Sequence, residues 1–185
     1  MAKKAQSTLV NMLLSLTAIA LVAAAALAAI NAVTQEPIAQ AQEAKVQAAI
    51  KAVLPPFDKL EAQEIDGCKC NVAYDAEGNK VGAAIEAGND NGFGDHLQVM
   101  VGFDQEGNVF GYSILESHET PGLGAKAGEW FQKDGKGSVI GRNPSNALTV
   151  KKDGGDFDAI SGSTITSRAF LTAVNDAYQV FTKIQ

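Results

Sequence analysis

The sequence predicts an α+β protein: an N-terminal transmembrane helix followed by an antiparallel-sheet domain with packed helices. Three observations carry that expectation. The run from Leu9 to Val33 is overwhelmingly apolar and long enough to cross a bilayer core, which takes about 20 residues. Two stretches of alternating apolar residues each surround a D-x-E-G-N turn, Asp75-Ala76-Glu77-Gly78-Asn79 and Asp104-Gln105-Glu106-Gly107-Asn108. Alternation around a Gly-Asn turn signals a β-hairpin. From Ile165 onward, Ala169, Ala173, Val174, Ala177, Phe181 and Ile184 recur at three- and four-residue steps, the period of one helix face.

A chain of 185 residues suggests one globular domain with an appendage. Lys3 and Lys4 precede the apolar run, and no Lys or Arg follows until Lys45. That asymmetry orients the N-terminus inward, so residues 1–8 are expected in the cytoplasm and 9–33 in the membrane. Ala26-Leu27-Ala28 offers a signal-peptidase pattern, but signal cores run only about 7–15 residues, which favours a retained anchor. Everything beyond the span is then periplasmic or otherwise extracytoplasmic. All 21 acidic residues lie there, with every basic residue except Lys3 and Lys4. This acidic excess argues against nucleic acid or an anionic membrane surface as partners.

Within Pro37–Val53, Ile38, Ala41, Ala44, Ala48, Ala49, Ala52 and Val53 share one side of a helix, which Pro55-Pro56 ends. Residues 34–56 are read as a stalk or linker and 57–185 as the domain. Cys68 and Cys70 are too close for a relaxed disulfide and too few for zinc. Outside the cytoplasm they could form a strained bridge or a redox-sensitive dithiol; packing at a strand start is the favoured reading.

Val72 and Tyr74 lead into the first turn, and Val81, Ala83 and Ile85 leave it. Leu97, Val99, Val101 and Phe103 lead into the second, followed by Phe110, Tyr112 and Ile114. Between the hairpins, Gly88 to Asp95 lacks calcium-loop spacing and reads as a solvated connection. After the second hairpin comes Glu119-Thr120-Pro121-Gly122-Leu123-Gly124. Pro-Gly and a further Gly specify a tight loop whose backbone can approach a flat ligand, with little room for a Cβ at Gly122. His118 has only His96 for company, so a metal centre has little support. Ala125 to Lys133 reads as a short helix with Trp130 and Phe131 in the core, and Val139-Ile140 and Ala147 to Val150 as short strands.

Asp158-Ala159-Ile160-Ser161-Gly162-Ser163-Thr164 follows the break at Gly154-Gly155 and opens the last helix. Free N–H groups and the helix dipole favour an anion at such a point. One of the three hydroxyls, Ser161, Ser163 or Thr164, could instead simply cap the helix.

Asp158 to Thr164 resembles the D-x-x-S-G-A-T flavin-attachment motif of the FMN-binding domain family, with Ser163 for the commoner Ala, and E-T-P-G-L-G is that family's other motif, here intact. The resemblance runs from about Lys45 to the C-terminus. It implies one FMN per chain, bound covalently through a phosphoester to Thr164. Asp158, Ser161, Gly162, Ser163, Glu119, Thr120, Gly122, Leu123 and Gly124 are implied as cofactor-binding residues, Leu123 as a surface for the flavin ring. No catalytic residue and no metal ligand are implied.

The family includes the G subunits of Rnf-type ion-translocating ferredoxin:NAD⁺ oxidoreductases and the C subunits of sodium-translocating NADH:quinone reductases. Compact length and a single span fit the first better. The resemblance therefore implies an electron relay working with the other membrane and peripheral subunits of an Rnf complex, after a flavin transferase using FAD installs the cofactor. The alternatives are the quinone-reductase component, a non-redox module holding a phosphorylated ligand, and a structural component without cofactor.

Overall fold

The computed structural model describes residues 8–184; Lys3 and Lys4, on which the inward N-terminus rests, lie outside the described residues. The chain forms two compact units, dividing between Ala44 and Lys45. Helix α1 runs Leu9–Val53 with Pro37 inside it. Its Ala-rich flanks have high helix propensity and absorb the one backbone bond that Pro cannot make. In the first unit α1 is long and apolar enough to cross a membrane, and Leu13, Leu14, Ile19, Leu21 and Val22 are all exposed.

In the second unit, five strands form one sheet in the order β1-β2-β3-β4-β5: β1 Lys59–Ile65, β2 Cys68–Tyr74, β3 Lys80–Gly92, β4 Asp95–Asp104 and β5 Val109–Ser117. Every neighbouring pair is antiparallel. The two D-x-E-G-N turns close by the same device. The Asp75 carboxylate accepts from the Asn79 backbone N–H at 2.7 Å and from its side-chain amide at 3.0 Å; Asp104 does the same to Asn108 at 2.8 and 3.0 Å. Gly88 to Asp95 is not a separate loop. β3 continues to Gly92 and β4 resumes at Asp95, so this stretch is the tip of a third hairpin.

Both faces of the sheet are covered, which is why β3 and β4 carry near-continuous apolar runs. On one face Val72, Ile85, Val99, Val101 and Phe103 pack with Phe170, Val174 and Ala177 of helix α3, Thr164–Phe181. On the other, Ala73, Ala84, Met100 and Leu115 pack with Ala49, Ile50, Val53 and Leu54. The end of α1 sits close. Ala84, Gly102 and Gly111 pair across three strands, and a Cβ on Gly102 would fall 1.8 Å from the Val53 carbonyl oxygen. Lys45 also donates through Nζ to the Leu115 carbonyl.

Between β5 and α3 the chain differs from expectation. Gly124–Lys126 is a single 3-10 turn and α2 spans only Ala127–Trp130. The expected strands at Val139-Ile140 and Ala147 to Val150 reduce to one isolated bridge between Val150 and Phe157. Their backbone groups find other partners: Val139 N–H donates to Phe131 O, and the Asn175 side chain of α3 both accepts from Leu148 N–H and donates to Leu148 O. Phe131 stacks on Phe170 at 4.3 Å between centroids, and Tyr112 meets the same ring edge-on. Burial pushes the Tyr112 phenol well above its ordinary range, and its hydroxyl donates to Ala127 O at 2.6 Å. Cys68 opens β2 half-buried, Cys70 is buried in the core, and both are free thiols.

Candidate functional site

The turn before α3 is built from inside. Gly162 takes a left-handed φ of +78°, the conformation that favours glycine, and Ser163 N–H donates to Ile160 O. The buried Ser167 hydroxyl locks the turn, accepting from Ile160 N–H at 2.9 Å and donating to Ser163 O at 2.9 Å. Ser163 occupies the N-cap position, yet its side chain makes no capping bond. Thr164 is the first helical residue, so its hydroxyl is not the cap. The first intrahelical bond is donated by Ser167 N–H to Ser163 O. The amides of Thr164, Ile165 and Thr166 precede it and point out of the helix start, as helix geometry requires.

The 3-10 turn Lys151–Asp153 brackets this segment with three consecutive side chains. Lys151 pairs with the Asp158 carboxylate at 2.8 Å. Asp153 accepts a two-pronged grip from Arg168 at 2.6 and 2.7 Å, which holds its carboxyl below the ordinary carboxylate range. Lys152 Nζ donates to Thr164 Oγ1 at 3.2 Å and, among the described residues, forms no ion pair. Trp130 Nε1 donates to Asp158 O at 2.8 Å, fixing the other end of the motif.

Opposite lies the loop after β5. Leu123 N–H donates to Thr120 O at 3.1 Å and Gly122 has φ +78°, so Thr120-Pro121-Gly122-Leu123 is a type II turn. A Cβ on Gly122 would meet nothing within 4 Å. The expected crowding is therefore absent; the glycine is needed for its backbone angle. Glu119 is buried, and both its oxygens are taken: Oε1 accepts from Phe93 N–H at 2.9 Å and Oε2 from the Thr166 hydroxyl at 2.8 Å.

These segments line one cleft of about 330 Å³, formed by Phe93, Glu119, Thr120, Leu123, Gly124, Lys152, Gly162, Ser163, Thr164 and Ile165. Glu119, Thr120, Leu123, Gly124, Gly162, Ser163 and Thr164, which the resemblance implies as cofactor-binding, thus line one cleft. Gly122 and Ser161 stand outside the lining, exposed, and the Asp158 side chain turns to Lys151. Lys152, Phe93, Ile165 and Thr166 are residues that sequence reasoning missed. The rim is apolar, with Phe93, Leu123 and Ile165 partly exposed. One end is cationic and rich in N–H donors, which suits a flat ring tethered to a phosphate. Among the described residues, no group of three or more His, Cys, Asp or Glu side chains could hold a metal ion.

The sequence pattern of the FMN-binding domain family matches residues 92–179. That span contains both the loop and the turn. The chain is 31% identical over 186 residues to the G subunit of the ion-translocating oxidoreductase complex of Shewanella baltica (strain OS223), covering 90% of this chain and 86% of the relative. It is 34% identical over 172 residues to the corresponding protein of Yersinia pestis, covering 81% and 79%. Identity is 31% over 189 residues, covering 91% and 89%, to the G subunit of the Na(+)-translocating ferredoxin:NAD(+) oxidoreductase complex of Acetobacterium woodii. By these identities the chain belongs to the family of G subunits of ion-translocating oxidoreductase complexes, and it is a membrane protein with one long apolar helix and an FMN-binding domain.

Proposed function

We propose that this chain is the flavoprotein component of an Rnf-type ion-translocating ferredoxin:NAD⁺ oxidoreductase, carrying one FMN joined through its phosphate to Thr164. The observation that carries the reading is the Thr164 hydroxyl. It stands at the cationic end of a cleft whose remaining rim is apolar, ahead of the first intrahelical bond of α3. Bound there, FMN supplies one-electron redox chemistry.

The chain's own residues bind and orient. Thr164 Oγ1 would hold the flavin as a phosphoester, its hydroxyl proton passing to a base of the flavin transferase and adenylate leaving from the FAD that the transferase supplies. Lys152 already donates to that oxygen and leaves its proton free for removal. The ammonium and the N–H groups of the first turn would hold the remaining phosphate charge. Leu123 and Ile165 offer apolar surface to the ring. Partners are the other subunits of the complex, and the domain lies outside the cytoplasm, where a covalent tether prevents loss of the flavin.

Two measurements test this. Protein co-expressed with a flavin transferase should yield one FMN mass on the peptide containing Ser161 to Thr166, located at Thr164. An FMN mass on Ser161, Ser163 or Thr166, or none, would overturn the reading. A reporter fused after Gln185 should be active only as a periplasmic marker, and cytoplasmic activity would reverse the orientation.

A further inference from the structure

Phe93 sits at the tip of the β3–β4 hairpin, far in sequence from both motifs, and is 70% exposed. A single exposed apolar residue is ordinary. Phe93 differs because its backbone is fastened from within the protein and it lines the same cleft as Leu123, Ile165 and Thr164. The fastening is the Glu119 carboxylate. Burying a carboxylate is costly unless its oxygens are hydrogen-bonded, and here one oxygen holds Phe93 N–H while the other holds the Thr166 hydroxyl. Space is set aside for it: a Cβ on Gly92 would lie 2.7 Å from Oε1, and one on Gly124 would lie 2.3 Å from Oε2. One side chain therefore fixes the spacing between the hairpin tip and the first turn of α3, two residues beyond Thr164.

We propose that Phe93 forms an aromatic wall of the flavin-ring site and that Glu119, fully engaged with Phe93 and Thr166, is the positioning residue that holds this wall in place. The inference rests on the flavin reading above and deepens it. A flat ring tethered at Thr164 by a flexible chain needs faces to rest against, and aromatic rings favour offset or edge contacts with one another. Glu119 then acts on the flavin through Phe93 rather than by touching it.

The test uses the full chain in detergent, co-expressed with a flavin transferase. Phe93→Trp should load to the wild-type extent, because Thr164 is untouched, and its flavin emission should fall several-fold, because an indole in contact with the ring quenches it. Phe93→Ala should also load, and iodide should quench its flavin more readily. Thr166→Val removes one partner of Glu119 while keeping the residue's shape. It should raise iodide quenching and shift the visible circular dichroism of the flavin in the same direction as Phe93→Ala, and Thr166→Ser should restore both.

Loaded Phe93→Trp and Phe93→Ala with wild-type emission and wild-type iodide quenching would overturn the wall and leave Phe93 as a face for a partner protein. A response at Phe93 with none in Thr166→Val would overturn the role of Glu119. A wild-type protein that fails to load would instead overturn the flavin reading itself.

Discussion

The two segments that face each other across the cleft are held by opposite means. The loop from Glu119 to Gly124 is tied from inside, through a buried carboxylate whose partners are a buried hydroxyl and a backbone amide. The turn from Asp158 to Thr164 is also locked beneath by Ser167, but its polar side chains are met from outside by an exposed 3-10 turn, where Lys151 pairs with Asp158 and Lys152 donates to Thr164, while Asp153 pairs with Arg168 in the following helix. Buried hydrogen bonds are costly to break singly and insensitive to salt. Exposed ion pairs contribute little each and are screened. One side of the cleft therefore sets geometry, and the other presents polar and charged groups that can exchange partners without disturbing the fold.

The largest expected effect separates these roles outright. Thr164→Ala should abolish covalent FMN and leave the domain folded, as read by mass spectrometry beside circular dichroism. Ser163→Ala should keep the flavin, since Ser163 makes no capping bond. Loss of fold in Thr164→Ala would show that the outer side is structural too.

Next in size is Glu119→Ala, which strands the Thr166 hydroxyl and the Phe93 amide without their partner. Each stranded group costs about 1–3 kcal/mol, so urea unfolding should show a clear loss. An unchanged midpoint would erase the contrast between the two sides.

Lys152→Met should leave stability unchanged and slow flavin loading at limiting transferase. The deficit should stay below about tenfold, because an exposed ammonium is screened, and it should shrink further as salt rises. A loading rate equal to wild type at low salt would remove Lys152 from the site.

The smallest effect is on pH. Arg168 holds the Asp153 carboxyl below its ordinary range, so this pair's contribution is present above the usual carboxylate pKa and is lost as pH falls through the folded value. Arg168→Gln should therefore flatten the acid limb of the melting-temperature profile slightly. An identical limb would mean the bracket contributes nothing measurable.

Much of the fold was legible because its signals are local. The hairpin turns announce themselves through an Asp and an Asn four residues apart, and the last helix through one buried face. Strand β1 carries no such signal, since Lys59-Leu60-Glu61-Ala62-Gln63-Glu64-Ile65 is a mostly exposed edge strand that buries no residue fully. Ile165, counted in the sequence among the apolar face of the helix, is 48% exposed at the cleft, because it stands in the first turn ahead of the buried stripe. The role of Lys152 depends on a hydroxyl 12 residues away, and that of Glu119 on one 47 residues away. No period or spacing encodes such pairings. Lys151 holds Asp158, Lys152 meets Thr164 and Asp153 holds Arg168 of α3, pairings that only the folded chain shows.

The bedding of the α1 terminus on the sheet bears on how the domain can be severed from its anchor. Ala49, Ile50, Val53 and Leu54 are part of the domain's own interior, and Gly102 leaves room for the Val53 backbone. A protease cutting between Pro55 and Asp58 would strip one face of the sheet and bare Ala73, Ala84 and Met100 to water. A cut upstream of Lys45, at the division between the two compact units, would release the sheet with both faces still clothed. Shedding the domain intact thus requires taking the last turns of the anchoring helix along with it.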